Sequence, residues 1–243
     1  MEYDIRVVAF IDILGFKSVV KKSTTEIKEF EKILTTLDEL KTFFSRNINP
    51  NPDSEYDTQI IQVSDSLIIS RKIQEQGGIS RMLTDCSFAI HLLINNGFLC
   101  RGAIKYGNLY HKDTTIFGQA YLEAFEAEEK VKLPVIKFDT GLFKILELFP
   151  GYANVGHETW AIDFLMENCK MLNSGEYYLD YFTDYDKRMG CDLCESSIHY
   201  SKLRKIIIKG LELKDNGAYL KNLWAANQYN KTAQHFGLEK IAI

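Results

Sequence analysis

The decapeptide VVAFIDILGF, residues 7–16, places one carboxylate, Asp12, inside a run that is otherwise apolar up to Gly15. Without Asp12 it reads as a buried strand closed by a glycine turn. A buried, unpaired carboxylate costs roughly several kcal/mol, so Asp12 needs a partner or a cation. A second stretch repeats the oddity. In DTQIIQVSDSLIISRK, residues 57–72, Asp65 lies between the β-rich flanks QIIQV and SLIIS. The short polar centre Ser64-Asp65-Ser66 reads as a hairpin tip. If the first strand is central and the hairpin lies beside it, Asp12 and Asp65 converge at one strand end.

Two convergent carboxylates repel, and a divalent cation removes that cost. The pair then forms a hard-oxygen site suited to Mg²⁺ or Mn²⁺. The Gly15 turn opens a helix whose free N–H groups can hold phosphate. Two acids, a metal and a helix N-terminus are the parts of nucleotide phosphoryl chemistry.

The remaining pattern fixes the fold class. Residues 23–46 carry Ile27, Phe30, Ile33, Leu34, Leu37, Leu40 and Phe44 at helical spacing, and Ser23 with Glu26 resembles a capping box. A helix over Ile79–Asn95 follows the hairpin. FLCRGAIKYG (98–107) reads as a strand, NLYHKDTTIFGQ (108–119) as a loop, residues 120–131 as a helix and LPVIKFD (133–139) as a strand. Strands alternating with helices predict an α+β sandwich, a mixed and mostly antiparallel sheet with helices packed on it. Residues 141–197 hold an aromatic strand, EYYLDYF (176–182), and little other periodicity. The chain from Ser197 onward reads as helical. The expected division is a domain over 1–195 and a helical C-terminal extension over 196–243.

The 243 residues are 46% hydrophobic and 26% charged, with a net charge of −4. That balance, without a basic patch, argues against a nucleic-acid partner. No stretch approaches the roughly 20 apolar residues of a membrane span, and the charged N-terminus lacks a signal-peptide pattern. Five cysteines without framework spacing point to a reducing, cytoplasmic setting. Cys191 and Cys194 form a lone CxxC, read as two ordinary thiols. His91, on a helix surface, and His111 and His157, in loops, carry no metal-site or dyad spacing. Trp160 and Trp224 are read as packing residues. KLRKIIIK, residues 202–209, is read as a solvated helix face.

FIDILGF (10–16) followed by QVSDSLIIS (62–70) resembles the class III nucleotidyl cyclase domain. CRGAIKYGNLY (100–110) is similar to that family's Arg-containing strand, and IFGQAYLEAFEAEE (116–129) to its loop glycine and cleft helix. The resemblance covers about residues 3–140. Within it, the chain is most similar to the pyrimidine cyclases of the Pycsar antiphage system. The resemblance implies a class III cyclase sandwich, a ferredoxin-like arrangement. It implies conversion of UTP or CTP to the 3′,5′-cyclic monophosphate and pyrophosphate, as an infection signal read by a separate cyclic-nucleotide-activated effector protein. It also implies a homodimer with active sites at the interface.

Carried over by position, the resemblance implies two Mn²⁺ or Mg²⁺ ions held by Asp12, Asp65 and the carbonyl of Ile13. The backbone N–H groups of Gly15, Phe16 and Lys17 would meet the triphosphate, and Phe10 would lie beside the nucleotide. The family's purine-reading position falls on Ile61, consistent with a pyrimidine substrate, and a neighbouring base-reading position falls on Thr115. The family's transition-state Asn and Arg fall on Leu122 and Glu126, so both are absent. Arg101 is the expected replacement, with Lys105 on the same strand face. Arg101, Lys105 and Thr115 would act in trans to Asp12. The missing pair also fits an inactive nucleotide-binding sensor on the same fold. A metal-dependent phosphotransferase or polymerase-like palm, with two acids on a strand and hairpin, is a third reading.

Overall fold

The computed structural model describes residues 2–47, 57–75, 77–149, 162, 166–183, 193–213 and 215–243, with the side chains of 45–47, 193–195 and 235–236 left undescribed. Strand β1 (Asp4–Ile13) is followed by helices α1 (Phe16–Ser23) and α2 (Ile27–Asn47). The hairpin β2 (Gln59–Val63) and β3 (Ser66–Lys72) leads to α3 (Gly78–Asn95), then β4 (Cys100–Lys112), β5 (Thr115–Phe117) and α4 (Gln119–Glu129). Next come β6 (Ile136–Phe138), α5 (Gly141–Leu148), β7 (Cys169–Met171) and β8 (Tyr177–Leu179). Two long helices, α6 (Leu193–Leu211) and α7 (Asn216–Phe236), close the chain.

The sheet runs β2-β3-β1-β4-β6-β8-β7, with β5 paired to β4. β1 is flanked antiparallel by β3 and β4, and β4–β6 is the parallel pair. The expected mixed, mostly antiparallel α+β sheet is therefore present. Alternation along β1 splits its residues between two cores. Val7, Ala9, Ile11 and Ile13 face the large core that α3, α6 and α7 complete. Val8 and Phe10 face a smaller core under α4, with Ala120 and Ala124. Tyr200, Leu203, Ile207, Ala225 and Tyr229 of the C-terminal helices lie in the large core, so these helices pack with the sheet. No helix among the described residues is long and apolar enough to cross a membrane.

Several local expectations are corrected. Ser23 is not a helix N-cap but the last residue of α1, and its hydroxyl donates back to the Val20 carbonyl at 2.8 Å. The single helix expected over 23–46 is thus a short α1, a break at Thr24–Glu26 and α2. Residues 108–112, expected as loop, extend β4 and return through Asp113 into β5. Hydrogen bonding along the ladder overrides the polar composition there. His111 lies in that strand, buried, with Nδ1 bonded to the Ser70 hydroxyl at 2.7 Å. His91 is half-buried on α3, bonded to Asn95 and stacked on His199. Trp224 packs edge-on against Tyr178 and Phe182. The Cys191–Cys194 motif, Trp160 and His157 lie outside the residues whose side chains are described.

Candidate active site

Asp12 is the penultimate residue of β1, opposite Ser66 on one side and Arg101 on the other. The β2–β3 turn holds Asp65 next to it, because the Ile13 N–H donates to the Asp65 carbonyl at 3.0 Å. Ser64 takes a left-handed φ of 55°, which closes this two-residue turn and presents Asp65 at its tip. The acids expected to converge do so, at one end of the sheet.

Immediately beyond, Leu14 N–H donates to the Leu99 carbonyl at 2.9 Å, and the chain reverses at Gly15 with φ 78°. A side chain is disfavoured at that φ, whereas glycine adopts it freely. The carbonyl of Gly15 accepts from Ser18 and Val19, so α1 starts beside the acids. The N–H groups of Gly15, Phe16 and Lys17 belong to the unsatisfied first turn. Phe16 anchors that turn through Phe98, while Gly15 and Lys17 are exposed.

Arg101, expected to act in trans to Asp12, instead pairs with Asp12 of its own chain, because the β1–β4 register sets the two residues opposite each other. Its Nε donates to Asp12 Oδ2 at 3.2 Å and lies 2.6 Å from Glu128 Oε1. A longer bond joins Nη1 to the Val131 carbonyl at 3.4 Å. The Arg101 and Asp12 side chains are 23% and 20% exposed, but Glu128 only 4%. Glu128 Oε1 makes the ionic contact without a well-directed hydrogen bond. Burial pushes the Glu128 carboxyl up to about 7, against the pull of Arg101 and with a push from Asp12. Asp12 is also raised, by burial first, with Arg101 opposing and Asp65 adding. A buried carboxyl of near-neutral pKa beside two acids and a guanidinium can hold a proton at physiological pH.

Glu128 was not among the residues expected from sequence. Its signal was helical spacing: Ala120, Ala124 and Glu128 fall at i, i+4 and i+8, and the two alanines are wholly buried. Glu126 and Leu122 lie off that stripe, and Leu122 is 57% exposed.

The other expected contacts divide. Phe10 is 5% exposed and packed under Phe125 and Tyr121, so within one chain it is closed to a nucleotide. The α4 aromatic side chains fill the space expected for it. Ile61 is half-buried and packs in the same cluster. Lys105 shares the strand face of Arg101 but stands opposite Val8, four residues and about 13 Å along the strand. Its ammonium is paired with Asp139 at 2.8 Å. Thr115 lies on β5, opposite Lys112 and exposed. Lys105 and Thr115 therefore do not join Asp12 within one chain.

The donors at the β1 end are carboxylate and carbonyl oxygens, the set that a hard divalent cation takes. Among the described residues no group of three or more His, Cys, Asp or Glu side chains could hold a metal by itself. Two carboxylates and a carbonyl are fewer donors than such a cation takes, so its remaining ligands would have to come from water or substrate phosphate.

No protein-family model matches this chain, and no curated protein matches it. Among solved structures, the guanylate cyclase domain of RhGC from Catenaria anguillulae in complex with GTP is similar at 14% identity. That match has a TM-score of 0.47 and covers 74% of this chain and 98% of that one. A non-canonical dimeric guanylyl cyclase domain of the RhoGC fusion protein from Blastocladiella emersonii is 13% identical, with a TM-score of 0.46 over 73% and 94% of the two chains. The adenylyl cyclase CyaB from P. aeruginosa is 14% identical, with a TM-score of 0.41 over 60% and 82%.

Proposed function

We propose that this protein is a metal-dependent nucleotidyl cyclase that converts a pyrimidine nucleoside triphosphate, UTP or CTP, into its 3′,5′-cyclic monophosphate. One observation carries the reading: Asp12 and Asp65 meet at the strand end that leads straight into the Gly15 turn and α1. In this reading Asp12, Asp65 and the Ile13 carbonyl hold two divalent ions, Mn²⁺ or Mg²⁺. Bound there, the ions would acidify the ribose 3′-hydroxyl and offset the phosphate charge.

The chain's own groups have separate tasks. The free N–H groups of Gly15, Phe16 and Lys17 bind the triphosphate and fix its direction. The ribose 3′-oxygen bonds to the α-phosphorus, the bond to the β-phosphate oxygen breaks, and pyrophosphate leaves. Arg101 keeps Asp12 ionised and oriented. Glu128, buried beneath Arg101, holds that guanidinium beside Asp12. Ile61, apolar where purine cyclases carry a base-reading polar side chain, favours a pyrimidine.

Because Lys105 and Thr115 stand away from Asp12, their proposed contact with the nucleotide is made in trans, across a two-fold homodimer. Val63 (61% exposed), Leu122 (57%) and Phe125 (39%) give the hairpin tip and α4 an apolar surface for such a contact. The cyclic product would act on a separate effector protein, as in the antiphage family the sequence resembles.

The second reading is a nucleotide-binding sensor without turnover. It is favoured by Leu122 and Glu126 in place of the Asn and Arg, and by the engagement of Arg101 with two carboxylates. The discriminating experiment incubates the protein with Mn²⁺ and each of ATP, GTP, CTP and UTP, with products resolved by mass spectrometry and Asp65→Ala as control. A cyclic pyrimidine monophosphate absent from the variant supports the enzyme. Nucleotide binding without any product supports the sensor.

A further inference from the structure

A cleft of about 200 Å³ opens beside Gly15, between α1 and α2 on one side and the C-terminal helices on the other. Its lining includes Leu14, Gly15 and Ser18, at the turn already placed next to the acids. Four lysines converge on it: Lys22 from α1, Lys32 from α2, Lys209 from α6 and Lys221 from α7. Glu29 is the one carboxylate among the lining residues. Among the described residues, none of the four lysines has a carboxylate within salt-bridge distance. Four like charges around one concavity repel; among the described residues Glu29 opposes them at Lys32, and Asp12 and Asp215 at Lys221, without forming an ion pair.

Lys32 is held by packing, while Lys22 and Lys209 are exposed at the cleft rim. Gly210 faces Asn222 so closely that no side chain fits between, which fixes the crossing of α6 and α7. Lys209 and Lys221, the sequence neighbours of these two residues, both line the cleft. Lys32 Nζ lies 4.0 Å from the centre of the Phe98 ring and donates to the Gly97 carbonyl at 3.3 Å. Burial lowers the Lys32 pKa, Glu29 opposes that shift, and Lys209 and Lys22 nearby add to it. Lys221 is lowered likewise, by burial and by Arg101, while Asp12 raises it, which ties the cleft electrostatically to the acids. The floor is apolar, with Phe98, Leu99 and Ile206. Weak screening there strengthens each attraction between an ammonium and an anion.

We propose that Lys22, Lys32, Lys209 and Lys221 form a polyphosphate-binding cleft, in which the C-terminal helix pair supplies the cations that face the Gly15 turn. The ligand is a di- or triphosphate group: ammonium point charges suit it, and free helix N–H groups continue the same surface. Assigning that phosphate to the substrate's tail, or to departing pyrophosphate, rests on the cyclase reading; binding of a polyphosphate does not. The alternative source is a free polyphosphate acting as a regulator. Either way, the basic run at 202–209 contributes Lys209 to a site instead of only a solvated face.

The test is isothermal titration of the full chain with inorganic pyrophosphate in the presence of a chelator. The expected result is saturable binding that weakens at least tenfold in Lys22→Gln/Lys209→Gln. It should change less than twofold in Lys28→Gln/Lys205→Gln, which removes the same charge from exposed positions outside the cleft. Thermal melting of both variants checks that they fold. No binding by the parent chain, or equal weakening in both variants, overturns the proposal. Competition separates the two sources. If the substrate's tail fills the cleft, pyrophosphate competes with UTP or CTP, and the Lys22→Gln/Lys209→Gln variant raises KM at least tenfold with a smaller change in kcat. If a free polyphosphate fills it, pyrophosphate and nucleotide bind together and KM is unchanged. Pyrophosphate binding that depends on Lys22 and Lys209 without formation of any cyclic product would keep this site and remove the cyclase reading.

Discussion

Arg101 stands directly opposite Asp12 in the β1–β4 ladder, and its Nε donates to the Asp12 carboxylate at 3.2 Å while lying 2.6 Å from Glu128. One guanidinium therefore offsets two partly or wholly buried acids. Removing it in Arg101→Ala leaves Asp12 and Glu128 to repel each other. The expected loss is about 1–3 kcal/mol of unfolding free energy, below the cost of breaking a fully buried pair because Arg101 is partly exposed. Urea denaturation at pH 7.5 measures it. Arg101→Ala/Glu128→Gln should recover at least half of that loss, and no recovery would break the link between the two residues.

The Glu128 carboxyl carries a pH signature. Its pKa in the fold, about 7, is above its ordinary 4.5, so the folded chain holds a proton that the unfolded chain releases. The associated stability is complete below pH 4.5 and is lost as pH rises through 7. Its ceiling is about 3 kcal/mol. His111 works in the opposite direction: burial lowers it from 6.5 to about 4, and its term is lost as pH falls through that window. Both chains share the histidine, so the stability difference between wild type and Glu128→Gln isolates the glutamate. That difference should shift against the wild type between pH 5 and 8, measured by chemical denaturation at each pH.

Asp65 lies on a half-exposed turn, and Asp65→Ala removes a carboxylate without opening a core. The expected outcome is at least a hundredfold loss of cyclic product with the melting temperature unchanged within about 2 °C, since surface substitutions of this kind are nearly neutral. Ser64→Val is the complementary variant. A β-branched residue at φ 55° costs about 1–2 kcal/mol, so it should lower the melting temperature and reduce product by misplacing Asp65.

Gly102 follows Arg101, and a Cβ there would meet the Phe10 carbonyl at 2.6 Å and the Ile136 side chain at 3.3 Å. Gly102→Ala therefore forces β1 and β4 apart next to the Asp12–Arg101 pair. A loss of about 2–3 kcal/mol is expected, as in other overpacked cores. Product formation should fall with it, read by thermal melting and the mass-spectrometric assay together.

The acids were legible because each is an exception inside an apolar pattern, and Gly15 because only a turn accounts for it there. The antiparallel core was legible from period-2 and period-3.6 runs. Glu128 was not, because EAEE at 126–129 reads as an ordinary polar helix end and only tertiary packing shows which acid turns inward. Phe10 was read as a ligand contact and is instead covered by Phe125 and Tyr121, whose position over it depends on where α4 docks. The strand at 108–112 was hidden by its polar side chains, since its stability comes from ladder hydrogen bonds. The lysine cleft draws on residues from 22 to 221, a separation that no local pattern records.

The pairing of β1 with β4 joins residues 89 positions apart at Asp12 and Arg101. Closing so long a loop is entropically slow and places this sheet among late-assembling topologies. At a synthesis rate of 5–20 residues per second, β1 waits roughly 5–20 s on the ribosome before β4 emerges. During that interval an apolar strand, VVAFI, has both edges open until β3 emerges and one edge open until β4 does. The chain's vulnerable period thus falls during its own translation, and the acidic centre cannot exist before the first half of the protein has been made.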